Sequence, residues 1–190
     1  MTAPRPAAFL DRDGTVIIDT GYVSRPADVT LIEGAARAIA RLNAAGIPVV
    51  IVTNQSGIGR GYFSESDFAL VEMRIAELLA ANGARVLATY HCPHAPDVEC
   101  DCRKPGVKLF RDAAAAHAID LAHSWYIGDR LRDIEPAAKL GGTGILVPRR
   151  ETPSADVVTA GERFVIATTL DAAVTRVLES KPLARPRDGD

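Results

Sequence analysis

The sequence predicts an α/β fold, a doubly wound parallel sheet with helices on both faces. Short apolar runs alternate with helix-length segments along most of the 190 residues, and such alternation builds βαβ units around a parallel sheet. Right-handed crossover connections then place helices on both sides of that sheet. The run IPVVIVT at 47–53 is apolar on both strand faces, as is typical of a parallel strand between two helical layers.

The predicted strands are short apolar runs, and two of the predicted helices have clear terminal signals. Ser64 is a suitable N-cap, Asp67 occupies the reciprocal capping position, and Gly83 follows as a stop. The preceding helix is closed by Gly46. In chain order we predict strand 7–10, helix 35–45, strand 47–53, helix 64–82, strand 85–91, helix 107–117, strand 124–128, helix 131–140, strand 144–147, strand 164–167 and helix 170–178.

Composition and charge narrow the classes of protein to which the chain can belong. Hydrophobic residues make up 47% of the sequence and charged residues 24%, with a formal net charge of −2. The two percentages are near the globular average and exclude a wholly disordered or collagenous chain. Because this net charge predicts no broad basic face, we expect no nucleic-acid partner.

The hydropathy pattern and the cysteines predict a location and a domain count. No apolar run approaches the roughly 20 residues that cross a membrane, and residues 1–6 have no apolar core of a secretory signal. The three cysteines cluster in 92–102, which favours a metal site over a disulfide framework. We therefore expect a cytoplasmic monomer without a membrane partner, with one domain over 1–180 and a flexible tail at 181–190.

Charged and hydroxyl side chains follow four of the predicted strands. Asp11 and Asp13 follow the first, Thr53 ends the second, Lys104 comes after the loop behind the third, and Asp129 follows the fourth. The carboxyl ends of parallel strands meet at one edge of a sheet, where ligands bind. Adjacent carboxylates repel unless a cation intervenes, and Mg²⁺ prefers hard oxygen ligands. This edge is therefore predicted to hold Mg²⁺ and a phosphoryl group.

The same residues have the chemistry of phosphoryl transfer. Asp11 can attack phosphorus as a carboxylate nucleophile, and Asp13 can protonate the leaving oxygen and then take a proton from water. Thr53 can donate to phosphoryl oxygens, and Lys104 offers a point charge for the transition state. Alone, such a pair of aspartates is more often a solvated turn and a lone lysine a surface residue. Their shared placement at strand ends favours a site.

A second metal site is predicted in the loop 91–103, which we call the zinc loop. Cys92, His94, Cys100 and Cys102 form the pattern C-x-H-x₅-C-x-C, and four such ligands fit a closed tetrahedral Zn²⁺ site. Buried cysteines beside a solvated histidine, or a redox pair, are the alternatives. With no open coordination position, the zinc would be structural and would direct the residues that follow Cys102.

Four motifs together resemble those of the haloacid dehalogenase superfamily of phosphohydrolases. They are FLDRDGT at 9–15, VTN at 52–54, RKP around Lys104 and GDRLRD at 128–133. The resemblance implies a Rossmann-like sheet of the haloacid dehalogenase type. The segment between the first two motifs is too short for a separate cap domain, so we expect none.

The resemblance also implies roles for individual residues. It makes Asp11 the nucleophile and Asp13 the acid/base. Mg²⁺ would be held by Asp11, the main-chain carbonyl of Asp13 and Asp129. Asp133 matches a second acid of the last motif, outside the direct ligands.

Two further segments resemble one branch of this superfamily, the zinc-containing heptose-bisphosphate and histidinol-phosphate phosphatases. DTGYV at 19–23 and NQSGIGRGYF at 54–63 resemble the heptose enzymes, whereas the short loop CPHAPDVECDCRKP resembles the histidinol enzymes. We therefore expect a heptose 1,7-bisphosphate that loses its C7 phosphate; histidinol phosphate and other small sugar phosphates are the alternatives. The substrate contacts implied are Arg12, Asp19, Thr20, Gly21, Tyr22, Asn54, Gln55, Ser56, Arg103 and Arg130.

A phospho-receiver domain is the rival outside the phosphatases. It also uses an acidic pocket, Mg²⁺, a threonine and a lysine on a doubly wound sheet. It would need neither a second aspartate two residues after Asp11 nor a zinc loop, and both features are predicted here.

Overall fold

One parallel sheet organises residues 3–180, the part of the chain that the computed structural model describes. The strands are β1 (Ala8–Leu10), β2 (Val49–Asn54), β3 (Ala88–Cys92), β4 (Trp125–Gly128), β5 (Thr143–Leu146) and β6 (Val165–Ile166). Their order in the sheet, β3-β2-β1-β4-β5-β6, confirms the predicted doubly wound sheet. These described residues also hold two short 3₁₀ helices, at Pro26–Asp28 and Leu121–His123. The helices are α1 (Ala35–Ala44), α2 (Ser56–Gly59), α3 (Glu65–Ala80), α4 (Lys108–His117), α5 (Leu131–Leu140), α6 (Ser154–Arg163) and α7 (Leu170–Ser180).

Successive residues of the central strand β1 point to opposite faces of the sheet. Ala8 and Leu10 lie in a core shared with α1, α3 and α7. Phe9 lies in a second core on the other face, with residues of α4 and α5. Its ring stacks on Tyr126 at 5.2 Å and meets Phe110 edge-on at 5.2 Å. Because helices cover both faces, the carboxyl edge of the strands is the place left for a site.

The strand order reverses beside β1, which has β2 on one side and β4 on the other. Leu10 pairs with Ile51 of β2 and with Ile127 of β4. The segments after these three strands therefore start side by side. In open α/β sheets, ligands bind in the crevice at such a reversal.

The predicted element bounds are close to the observed ones except at β3, which begins at Ala88 instead of 85. At Arg85 the side chain of Asn43 takes the place of a neighbouring strand: its Oδ1 accepts from the Arg85 amide at 2.7 Å and its Nδ2 donates to the Arg85 carbonyl at 3.1 Å. These contacts satisfy the Arg85 backbone outside the sheet. The N-terminal capping box of α3, formed by Ser64 and Asp67, is confirmed.

Two helices were not predicted from the sequence. The helix α6 buries only Ala160, so it has no long apolar stripe to reveal it. The helix α2 has four residues, two of them glycines. Within the described residues no helix is both long and apolar enough to cross a membrane. The tail expected at 181–190 lies outside the described residues, and the single domain over 1–180 stays a prediction.

Candidate active site

Asp11 and Lys104 form a buried ion pair at the sheet edge. Asp11 follows β1, its amide donates to the carbonyl of Ile127 in β4 at 2.9 Å, and the residue is 6% exposed. The Lys104 ammonium lies 2.7 Å from Asp11 Oδ1, 2.7 Å from the Val52 carbonyl and 2.8 Å from Asp133 Oδ1. The first two contacts are hydrogen bonds and the third is an ion pair. The lysine is thus held in place by β1, β2 and the start of α5.

The backbone of Lys104 is fixed by the side chain of Asn54. Asn54 Oδ1 accepts from the Lys104 amide at 3.0 Å, and its Nδ2 donates to the Lys104 carbonyl at 3.3 Å. This reciprocal pair ties the end of β2 to the segment after the zinc loop. Asn54 was predicted to contact substrate; its side chain lines the cavity at this edge and also makes these two bonds with Lys104.

Two further carboxylates complete the cluster. Oxygen atoms of Asp11, Asp129 and Asp133 lie within 4.8 Å of one another. Gly14 has a φ of +82°, and a Cβ there would be 2.8 Å from the carboxylate carbon of Asp129. A Cβ on Gly128 would be 2.3 Å from the Cβ of Asp133. Both glycines therefore allow the carboxylates to approach the loops after β1 and β4.

The donor set of this cluster fits a divalent cation. Burial, with the nearby Asp133 adding repulsion, raises the pKa of Asp11 to about 7 and that of Asp129 to about 6. Lys104 contacts Asp11 and Asp133, and Arg130 Nε lies 3.2 Å from Asp129 Oδ2, so within the described part of the chain the cations in close contact number two against three carboxylates. Asp129 Oδ1 is buried and has no hydrogen-bond partner among the described residues. Hard oxygen ligands suit Mg²⁺. Both oxygens of Asp133 are engaged, Oδ1 with the Lys104 ammonium and Oδ2 with the Arg130 amide at 3.0 Å. The second oxygen of Asp11 and the Oδ1 of Asp129 are therefore the atoms placed to hold the cation.

Asp13 lies beside this cluster and is bound by side chains from two elements. Its Oδ2 accepts from Gln55 Nε2 at 2.8 Å and lies 3.5 Å from Thr53 Oγ1. The Gln55 amide also donates to Thr53 Oγ1 at 2.8 Å. The guanidinium of Arg12 makes further contacts with Asp13. Thr53 and Asp13, both predicted as catalytic, are therefore joined through Gln55.

A cavity of about 260 Å³ opens at this edge and brings most of the predicted residues together. Thr20 and Arg103 are the two predicted contacts that do not line it. Val23 and Arg132 line it but were not predicted; Arg132, two residues after Arg130 in GDRLRD, could have been found from that motif. The predicted residues that line the cavity are Asp11, Arg12, Asp13, Asp19, Gly21, Tyr22, Thr53, Asn54, Gln55, Ser56, Lys104, Asp129 and Arg130.

The mouth of the cavity is bordered by the 19–22 turn. Asp19 Oδ1 accepts from the Gly21 amide at 2.9 Å, which closes the turn. The following ring, Tyr22, is half exposed and meets Tyr62 edge-on at 4.8 Å. Tyr22 lines the cavity and Tyr62 packs against Tyr22; we call these two exposed rings the aromatic wall.

The four predicted zinc ligands converge on one point. Cys92 Sγ lies 3.0 Å from Cys102 Sγ, 3.7 Å from Cys100 Sγ and 3.5 Å from His94 Nδ1, and the three cysteines are free thiols. Ligands at about 2.3 Å in a tetrahedron stand roughly 3.8 Å apart. The donor set therefore fits four-coordinate Zn²⁺, with Cys92 and Cys102 closer together than that spacing and Cys100 near it. Burial and the neighbouring thiols raise the pKa of Cys102 to about 12, a penalty that metal binding would remove.

The zinc loop packs directly against α2 and directs Arg103. The Gly59 amide donates to the Pro93 carbonyl at 2.8 Å, and a Cβ on Gly59 would collide with the backbone of this loop. Arg103 Nη2 donates to the carbonyl of His94 inside the loop. The guanidinium predicted to reach the substrate is thus turned onto the zinc loop.

We expect protein prepared without chelator to contain about one zinc per chain, because the cluster offers one four-ligand site. Cys100→Ser and His94→Gln should each lower the zinc content measured by elemental analysis. Cys100 is the least buried of the three cysteines, so its replacement disturbs the core least.

The matched control for these variants is His123→Gln, at an exposed imidazole that binds Asp120 at 2.7 Å. That variant should keep its zinc. The predicted zinc site would be contradicted if the wild-type protein contained no zinc, or if all three variants lost zinc equally.

Comparison with known proteins yields two family models that match the chain. The one described as "Haloacid dehalogenase-like hydrolase" matches residues 8–88 and the one described as "HAD-hyrolase-like" matches residues 101–173. Together they include the carboxylate cluster, Thr53 and Lys104.

Curated relatives and a solved structure are similar over most of their length. A D-glycero-beta-D-manno-heptose-1,7-bisphosphate 7-phosphatase of Photorhabdus laumondii is 43% identical over 156 residues, 77% of this chain and 82% of the relative. One of the same name from Vibrio cholerae is 42% identical over 151 residues, 75% and 81% of the two chains. The crystal structure of a D,D-heptose 1,7-bisphosphate phosphatase from B. bronchiseptica, complexed with magnesium and phosphate, is 34% identical with a TM-score of 0.83, covering 93% and 99%.

Proposed function

The chain belongs to the haloacid dehalogenase-like hydrolases, and on that premise we propose that it is a Mg²⁺-dependent phosphatase that removes the C7 phosphate of a heptose 1,7-bisphosphate. The observation that carries the proposal is the buried Asp11, held by Lys104 next to the unpartnered Asp129 Oδ1. A carboxylate nucleophile, the Lys104 cation and a carboxylate oxygen available to a metal ion thus lie together where the strand order reverses.

The reaction has two displacements at phosphorus. In the first, an oxygen of Asp11 bonds to phosphorus, the ester P–O bond breaks, and Asp13 gives its proton to the leaving alcohol. In the second, a water oxygen bonds to phosphorus, the bond to Asp11 breaks, and Asp13 takes the proton of that water. The products are the alcohol and inorganic phosphate.

The protein surrounds the reacting phosphoryl group with charge. Lys104 and the hydroxyl of Thr53 would face the phosphoryl oxygens. Asp11 and Asp129 would hold Mg²⁺, which would supply further positive charge for those oxygens. Arg130 and Arg132 line the same cavity. Arg130 is bound to Asp129 and to the Glu151 carbonyl, so a second phosphate would be met by its remaining Nη2 and by the more exposed Arg132. Guanidinium groups bind phosphate through charge-assisted pairs of hydrogen bonds.

The heptose itself is proposed from the relatives' names, and the open cavity with its aromatic wall supports a sugar-sized substrate. The proteins of Photorhabdus laumondii and Vibrio cholerae are named for this bisphosphate. The zinc loop is proposed to be structural and to orient Lys104, two residues after Cys102. In solution we propose a monomer.

The test is a side-by-side measurement of kcat/KM for heptose 1,7-bisphosphate, heptose 7-phosphate and histidinol phosphate with Mg²⁺. The bisphosphate should be best, and loss of the distal phosphate should cost about tenfold or more, since a hydrogen bond to a charged group is worth about 1.5–3 kcal/mol. Arg130→Met should lower the ratio of kcat/KM for heptose 1,7-bisphosphate to kcat/KM for heptose 7-phosphate. Arg111→Met, at an exposed position on α4, should leave that ratio unchanged.

Other rankings separate the parts of this proposal. Histidinol phosphate ranked first would overturn the heptose assignment and keep the phosphatase. No turnover of any phosphomonoester by protein loaded with Mg²⁺ would overturn both.

A further inference from the structure

Arg12 contacts protein with every nitrogen of its guanidinium and is 1% exposed. Its Nε and Nη2 donate to the two oxygens of Asp13, each at 3.0 Å. Its Nη2 also donates to Gln55 Oε1 at 3.0 Å, and its Nη1 donates to Glu72 Oε1 at 3.1 Å. The cation lies over the ring of Phe68, 5.4 Å from its centre. Although Arg12 borders the cavity, its donors are directed away from a substrate.

The contact with Asp13 is a bidentate one. A planar guanidinium that meets both oxygens of a carboxylate fixes its rotation as well as its position. Gln55 adds a donor to Asp13 Oδ2 at 2.8 Å, and the Asp13 side chain remains 21% exposed toward the cavity. Asp13 is therefore held from its protein side and open on its substrate side.

Glu72 anchors this arrangement to the scaffold. It stands on α3, only 17% exposed, and its second oxygen accepts from Thr89 Oγ1 of β3 at 2.8 Å. The buried charges form a row of carboxylate, guanidinium and carboxylate, in which Arg12 is shared by Asp13 and Glu72. A bond to Asp13 alone would let Arg12 follow any movement of the catalytic loop. The bond to Glu72 ties Arg12 to a helix that carries no catalytic side chain.

We propose that Arg12 is a positioning residue that holds the carboxylate of Asp13 for proton transfer, and that Glu72 is its anchor. The proposal rests on the proposed function, because it takes Asp13 as the acid/base of the phosphatase reaction. It replaces the direct substrate contact expected for Arg12 from the sequence.

The test separates positioning of a proton donor from a general structural role. The kcat/KM value reports the steps up to release of the leaving group from phosphorus. A sugar alcohol needs a proton as it leaves, whereas p-nitrophenolate does not. The measured quantity is the ratio of kcat/KM for the best alkyl phosphate of the substrate panel to kcat/KM for p-nitrophenyl phosphate.

Arg12→Lys keeps the positive charge and loses the bidentate contact, so we expect this ratio to fall by roughly 10- to 100-fold, within the range of general acid catalysis. Glu72→Gln keeps the shape of the anchor and removes its charge, and should lower the same ratio by about two- to fivefold because Asp13 is held less firmly. Arg74→Lys, on the exposed side of α3 with its partner Glu77 at 3.1 Å, should leave the ratio unchanged.

Asp13→Asn calibrates the measurement and should lower the ratio at least as far as Arg12→Lys. If Asp13→Asn leaves the ratio unchanged, the acid role in the proposed function fails. Suppose instead that Asp13→Asn lowers the ratio, but Arg12→Lys and Glu72→Gln lower kcat/KM equally for the alkyl phosphate and for p-nitrophenyl phosphate. The positioning role then fails, while the assignment as a phosphatase stands. If Arg12→Lys raises only the KM for the bisphosphate, Arg12 contacts the substrate directly, and this result also overturns the proposal. Should Arg12→Lys fail to fold, the result with Glu72→Gln decides.

Discussion

Replacing Asp11 by asparagine is expected to lower kcat by roughly 10³-fold or more, as removal of a nucleophile does in other enzymes with covalent intermediates. An amide of the same shape cannot attack phosphorus as a carboxylate does. The variant should fold, since Lys104 keeps Asp133 and the Val52 carbonyl as partners at 2.8 and 2.7 Å. Steady-state turnover with Mg²⁺, beside a thermal melt of the same sample, measures both effects.

The melt itself carries a second expectation. Burial raises the pKa of Asp11 to about 7, so above that pH its ionised form is less favourable in the fold than in water. Metal-free Asp11→Asn should therefore melt no lower than the metal-free wild type at pH 8. The control is Asp112→Asn, at an exposed partner of Lys108, which should keep full activity. Turnover at the wild-type rate in Asp11→Asn would show that another group attacks phosphorus.

The sequence was most informative where short-range signals and topology agree. The alternating apolar runs determine which segments are strands, and right-handed crossovers determine the sheet they form. Since parallel strands end at one edge, Asp11, Thr53 and Asp129 could be expected together before any coordinates were known. The convergence of Cys92, His94, Cys100 and Cys102 was equally predictable, because all four lie within eleven residues of one loop.

What the sequence could not predict are contacts between side chains far apart in the chain. Glu72 lies 60 residues from Arg12, and nothing in the segment around it differs from an ordinary exposed helical glutamate. Arg103 follows the last zinc ligand and could be placed near the site, but its rotamer, which turns it onto the His94 carbonyl, depends on the folded loop. The carboxamide of Asn54 binds the backbone of Lys104, 50 residues away, which no motif reveals.

Replacing Lys104 by methionine is expected to have the largest effect on stability. The lysine is 3% exposed and contacts two of the three buried carboxylates of the cluster, Asp11 and Asp133. Removing one partner of a buried ion pair costs about 3–5 kcal/mol, because the remaining charge is left uncompensated. Metal-free Lys104→Met should lose that order of unfolding free energy in denaturant at pH 8, and turnover should fall by roughly 100-fold or more with the loss of charge at the phosphoryl group.

The cost in Lys104→Met should depend on pH in a definite direction. In the wild type the folded-state pKa of Asp11 is about 7 against 3.8 for the unfolded chain, so the folded state binds more protons between these values and stability falls as pH rises through that window. Lys104 lowers the pKa of Asp11, so removing the lysine raises that pKa and extends to higher pH the range over which stability falls. The free energy of unfolding of the metal-free variant should therefore be closest to that of the wild type near pH 5 and furthest from it near pH 8.

Two further samples separate charge from packing in this result. The double variant Lys104→Met/Asp133→Asn also lacks one of the buried carboxylates. Because the two residues are in contact, the effects of the two substitutions on the unfolding free energy are not additive. Part of the stability lost in Lys104→Met should therefore return. Mg²⁺ should raise the melting temperature of Lys104→Met more than that of the wild type, since it supplies the missing positive charge beside Asp11 and Asp129. Lys108→Met removes a lysine from an exposed pair and should change little. If the loss in Lys104→Met is the same at pH 5 and pH 8 and neither Asp133→Asn nor Mg²⁺ reduces it, then Lys104 stabilises the fold by packing, and the charge balance inferred for this cluster is wrong.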